Sequence, residues 1–73
     1  MTDSELLSEL SVGDREEIIQ NRFGGGEIIC PPLAVALYDY IMGCEALGEH
    51  KKMQQGIRIF REKFPSQYMV LLD

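Results

Sequence analysis

Between residues 33 and 47 the chain carries only two charges, Asp39 and Glu45. Leu33, Leu37, Tyr40, Cys44 and Leu47 recur at spacings of 4, 3, 4 and 3. That is the period of an α-helix, and Ala34, Val35, Tyr38, Ile41 and Met42 cover most of its remaining surface. A helix that is apolar nearly all round has to be surrounded by other elements, so residues 33–47 form the central core helix. Pro32 suits the first turn of such a helix and Gly48 its C-terminal cap. Met53, Ile57, Phe60 and Phe64 repeat the 4, 3, 4 spacing, and Pro65 closes the stretch. A turn as short as Gly48 makes the two helices antiparallel neighbours, which predicts a helical hairpin over residues 33–64.

The elements around this hairpin follow from capping and turn chemistry. Thr2 and Glu5 have the spacing of a capping box, in which each side chain serves the other's backbone N–H. Leu6, Leu7 and Leu10 give this first helix an apolar edge. At about two turns it is marginal alone, so it either packs on the body or frays until a partner orders it. Asp14, Glu16 and Glu17 suit the positive end of a helix dipole, and Ile18, Ile19 and Phe23 supply an inward face; a second helix is expected over residues 14–23. Three consecutive glycines, Gly24, Gly25 and Gly26, end it. Residues 24–32 then read as an extended Gly/Pro linker, with Glu27 to Cys30 as its apolar part. Residues 67–72 form a short helix or an extended segment. The expected fold class is all-α: a small bundle of three to four helices around a central antiparallel hairpin, in one domain spanning residues 1–73. Residues 1–13 form an acidic N-terminal arm, packed on the body or mobile until a partner orders it.

Charge is segregated along the chain. Residues 1–30 hold seven acids and two bases, 7 − 2, a net of −5, whereas residues 31–73 hold five of each. Such asymmetry sets which surfaces attract the molecule rather than its fold. A chain of 73 residues buries only roughly 60% of its unfolded surface, so its stability margin is thin. There is no apolar run of about 18 residues and no basic segment leading into an apolar one, so neither a membrane span nor a secretory signal is expected. A cytoplasmic location follows as the expectation.

Catalytic and metal chemistry find little footing. Cys30 and Cys44 read as reduced, buried thiols. With His50 they make three ligands at spacings unlike those of zinc sites, so no metal or other cofactor is expected. His50 reads as a solvated surface residue, and a Cys44–His50 nucleophile pair would have to bridge the Gly48 turn. The glycine triplet lacks the Gly-Lys-Ser/Thr ending of a phosphate loop. A domain this small also has little room for a pocket, and the expectation is no enzyme. Lys51, Lys52, Arg58, Arg61 and Lys63 make one helix basic, but a pI near 4.7 argues against direct, tight nucleic-acid binding.

Two resemblances bear on this plan. Tyr40, Gly48, Met53, Ile57 and Pro65 fall where a tetratricopeptide-type unit expects a large apolar residue, a Gly, a small residue, an aromatic and a Pro. Met53 is not small, Gly43 precedes the usual first-helix contacts, and arrays need about three copies where one is present. A plain helical hairpin is the better description. In size, acidity and helical plan the chain is also similar to small phage-encoded regulators that bind host RNA polymerase, the anti-termination proteins among them. No residue motif carries that second likeness.

The expected function is therefore that of a non-enzymatic, phage-encoded protein-binding regulator. Docking on RNA polymerase, with altered transcription, is what the resemblance implies. The acidic arm is the expected contact: Asp3, Glu5 and Glu9 supply attraction to a basic surface, and Leu6, Leu7 and Leu10 supply anchors for a groove. Such a protein is a monomer when free, and its body melts alike with or without the arm. The alternative is a small helical subunit of a larger assembly such as a virion or packaging machine.

Overall fold

Four helices and one β-hairpin make up the fold of the computed structural model, which describes residues 1–73. In chain order they are α1 (Asp3–Ser8), β1 (Glu17–Gln20), β2 (Glu27–Cys30), α2 (Pro32–Leu47), α3 (His50–Lys63) and α4 (Pro65–Leu71). Helices hold 59% of the residues and the two-stranded antiparallel sheet 11%, so the protein is mostly helical and not all-α. A radius of gyration of 11.5 Å matches the roughly 11 Å of a packed chain this long.

The hairpin α2–α3 is the frame. Pro32 opens α2 at a position where a missing N–H costs no helical bond. Gly48 ends α2 at φ 73°, a left-handed conformation that favours glycine, and the Glu49 N–H donates to the Cys44 carbonyl at 2.8 Å. Leu37, Ile41, Ile59 and Phe60 are buried between the helices. Phe60 is the centre of an aromatic chain, with Tyr38 at 6.4 Å and Phe64 at 5.7 Å between ring centroids, both tilted. The buried face of α2 is turned slightly from the expected one. Tyr38 and Ile41 are inside, while Leu47 is 81% exposed in the last turn.

At Gly56 the helices are in close contact. A Cβ there would lie 2.9 Å from Ile41 Cγ1 and 3.6 Å from Tyr40 Cδ2, so the buried Ile41 side chain would have to shift. Gly43, also inside a helix, has nothing within 4 Å of the same point. Alanine at either position gains about 0.8–1 kcal/mol of helix propensity. At Gly56 overpacking of about 1–3 kcal/mol outweighs it. Thermal melts should therefore show Gly43→Ala raising Tm and Gly56→Ala lowering it; a rise in both would mean that the helices do not touch at Gly56.

The expected helix over residues 14–23 is instead strand and turn. Glu17 pairs with Cys30, Ile18 with Ile29, Ile19 with Ile28 and Gln20 with Glu27. Two Ile-Ile pairs are β-branched and pack better on a pleated surface than in a helix. The glycines between them close a hairpin: Gly24 and Gly26 sit at φ 83° and 112°, where side-chain-bearing residues are strained. Asn21 organises this turn. Its N–H donates to the Gly26 carbonyl at 2.8 Å, and its Oδ1 accepts from the Phe23 N–H at 2.7 Å. Residues 24–32 are accordingly the end of that turn, a paired strand and the start of α2, rather than a linker.

The two chain ends lie over this frame. Asn21 Nδ2 donates to the Val70 carbonyl at 2.8 Å and Gln67 Nε2 to the Ile29 carbonyl at 3.1 Å, which seats the helical α4 beside β2. In α1 both halves of the capping box are present, at 3.0 and 3.1 Å. Its Leu6 is fully buried in the same core as Phe60 and Leu37, so of the two alternatives for α1 the packed one holds.

Candidate functional site

The six residues of the expected contact, Asp3, Glu5, Leu6, Leu7, Glu9 and Leu10, are largely engaged within the molecule. Leu6 is in the core, and Leu7 and Leu10 pack half-buried against it. Asp3 Oδ1 accepts from Arg58 and, at 3.0 Å, from Gln55. Those bonds, the Arg58 one foremost, hold its carboxyl below the usual range. Glu5 accepts from the Thr2 N–H, which lowers its pKa in the same way. Only Glu9 is exposed without a side-chain partner. The leucines that an arm would offer to a groove are used to close this protein's own core.

Uncommitted charge and apolar surface coincide instead at the β-hairpin. Side chains alternate across a strand, so the paired Ile18 and Ile29 share one face and Ile19 and Ile28 the other. The second pair turns inward, half-buried, next to the fully buried Cys30. Ile18 and Ile29 face outward at 61% and 50% exposure, and Gln20 and Glu27 share that face. Phe23, on the turn, is 84% exposed, with the Arg22 guanidinium 5.0 Å from its ring centroid.

Four acids lie on this element or lead into it: Glu27 shares the outward face with Ile29, Glu17 stands on the opposite face, and Asp14 and Glu16 precede β1. Asp14, Glu16, Glu17 and Glu27 enter none of the three ion pairs, which are Arg58–Asp3, Arg58–Glu62 and Arg22–Glu45. Arg22 places both Glu45 oxygens at 2.6 Å, which ties the turn to α2. With Arg22 thus engaged, four acids face Arg15 alone, 4 − 1, a net of −3 on the hairpin and the residues leading into it.

Comparison with known protein families, curated proteins and solved structures finds no match. The site is therefore read from its own chemistry.

The four surface hollows measure about 210, 220, 240 and 280 Å³, each under the roughly 300 Å³ of a small-ligand pocket. No three His, Cys, Asp or Glu side chains are grouped to hold a metal ion. Cys30 and Cys44 are both unbridged and buried, and burial pushes the Cys30 thiol above its ordinary pKa. Burial also pushes the Tyr40 phenol up to about 12; its hydroxyl has no hydrogen-bond partner, although the Cys44 thiol is a neighbour. His50 is exposed at the start of α3. No helix is long and apolar enough to cross a membrane.

Sequence reasoning found the acidity and missed the element that displays it. Two Glu-Ile-Ile segments separated by a glycine-rich turn were the available signal for a strand pair.

Proposed function

We propose that this chain is a non-enzymatic protein-binding regulator, which docks an acidic, partly apolar surface on a basic surface of a larger protein. The observation that carries this reading is the β-hairpin: the element that exposes the Ile18–Ile29 pair also carries, or follows directly on, four acids outside any ion pair. An apolar centre with a charged surround is the layout of a protein interface, and like-signed charge at its rim steers association with an oppositely charged partner. Host RNA polymerase, the partner implied by the resemblance to small phage regulators, is the first to test.

The test is a binding titration of wild type and of a triple variant, Glu16→Lys, Glu17→Lys and Glu27→Lys, at two salt concentrations. All three side chains are exposed and outside any ion pair, so the fold should persist. Association with the polymerase, or with a partner captured from the native host, should slow most at low salt, because exposed charges are screened beyond about 8 Å at physiological ionic strength. Equal association rates for both proteins would remove the hairpin from the interface.

A second reading has its own observation. Leu47 and Met69 add exposed apolar surface on α2 and α4, at 81% and 68%. A structural subunit of a larger assembly would cover those faces. It would self-associate at micromolar concentration in a sedimentation experiment, whereas a free regulator would sediment as a monomer.

A further inference from the structure

The hydrogen-bonding register of the hairpin shows which edge of the sheet is free. Asn21 N–H bonds to the Gly26 carbonyl, so residues 21 and 26 form a hydrogen-bonded pair. Such pairs alternate along an antiparallel ladder, which makes 19–28 and 17–30 hydrogen-bonded and 18–29 and 20–27 not. The Gln67 side chain confirms the phase from the other side, since it reaches the Ile29 carbonyl on the outer edge of β2. The N–H and C=O groups of Ile18 and Gln20 therefore point away from β2. No backbone or side-chain hydrogen bond in the structure reaches these four groups.

The two edges thus differ. Beside β2 lies α4, which occupies one carbonyl through Gln67, while β1 presents a row of unpaired donors and acceptors with an exposed isoleucine in its middle. On exposed residues such as Ile18 and Gln20, groups of this kind are open to solvent and form a template for another strand. Proteins commonly guard such edges with charge, and here the guard has one sign: Asp14, Glu16 and Glu17 precede or begin β1, with only Arg15 among them. A second copy of this chain would bring like charge against like.

We propose that β1 recognises its partner by strand addition: a basic, extended segment of the partner pairs with the Ile18 and Gln20 backbone groups. The segment places apolar side chains beside Ile18 on the outer face and Lys or Arg on the opposite face, on the side of Glu17. Main-chain bonds supply the docking, and alternation of apolar and basic side chains supplies the selectivity. With four residues of edge the contact is small and transient. This proposal rests on the acidic docking surface described above and adds how that surface is read.

The probe is a ten-residue synthetic peptide alternating Val and Lys, titrated into the full-length protein. Three comparisons accompany it: Glu in place of Lys, the Val-Lys peptide N-methylated at its four central residues, and the protein variant Gln20→Pro. Proline at position 20 removes an outward N–H and spares the inward ladder. The Val-Lys peptide should bind, with the Ile18 and Gln20 amides gaining protection from hydrogen exchange. N-methylation should weaken it roughly tenfold or more, Gln20→Pro similarly, and the Glu peptide should not bind. Should Gln20→Pro fail to fold, the N-methylated peptide still decides, because it leaves the protein untouched. Equal binding of the plain and N-methylated peptides overturns strand addition while leaving the acidic surface as the docking site. Binding of the Glu peptide as tightly as the Lys peptide overturns the charge reading as well. Absence of any binding, or a concentration-dependent dimer through β1, also overturns the proposal.

Discussion

Phe60→Ala should remove from about a quarter to all of this protein's stability at room temperature. Phe60 is fully buried, joins α3 to Tyr38 of α2 and packs on Phe64 at the start of α4. Truncating a buried Phe costs about 3–5 kcal/mol. A chain of this length has about 4–11 kcal/mol in total. Leu37→Ala, on the facing helix, should cost about 2–5 kcal/mol by the same loss of contact and cavity formation. A chemical-denaturation curve measures both. A Phe60→Ala midpoint close to wild type would mean that the hairpin is not where the stability resides.

Deleting residues 1–10 should be almost as severe. The deletion removes Leu6 from the core and Leu7 and Leu10 from its margin, and it leaves Arg58 without Asp3. Leu6→Ala alone should cost about 2–5 kcal/mol. A mobile arm would have melted separately and left the body intact, so a truncated protein that melts within a few degrees of wild type would sink the packed α1. Acid should loosen the same helix. Asp3 and Glu5 both have pKa values lowered below 3.8 and 4.5, by the Arg58 and Gln55 bonds and by the Thr2 N–H respectively. Their stabilisation is present above the ordinary carboxylate range and is lost as pH falls through the lowered values. An acid titration should show α1 fraying first, and Asp3→Asn should flatten that early phase.

The helical frame was legible because its punctuation agreed with its period. Pro32, Gly48 and Pro65 mark the ends of α2 and α3 within a residue or two, and the apolar spacing between them has one reading. Thr2 and Glu5 announced α1 through the capping box. What covers an apolar stripe is not written in its period, however, and the three leucines of α1 fit a partner's groove as well as this protein's own core. The burial of Leu6 decides between them. At residues 14–30 two local signals competed. Acids ahead of Ile18 suit the positive end of a helix, whereas paired β-branched residues around a glycine turn suit a hairpin. The second prevailed because Gly24 and Gly26 take left-handed conformations and Asn21 closes the turn, neither of which charge pattern reveals. The acidity was plain in the composition; its display beside an open strand edge depended on that turn.

The order in which the structure assembles follows from where its longest bonds fall. Hydrogen bonds spanning 38 to 55 residues all fasten one of the two chain ends: Met1 and Asp3 to Gln55 and Arg58, Asn21 to Val70, and Gln67 to Ile29. The β-hairpin and the α2–α3 hairpin, by contrast, each close through a short turn and need little loop entropy to form. Two locally closing halves, joined at Pro31, should therefore form first, with the terminal helices clamping across them afterwards. Hydrogen exchange should accordingly find the first opening at α1 and α4, with α2 and α3 persisting until global unfolding.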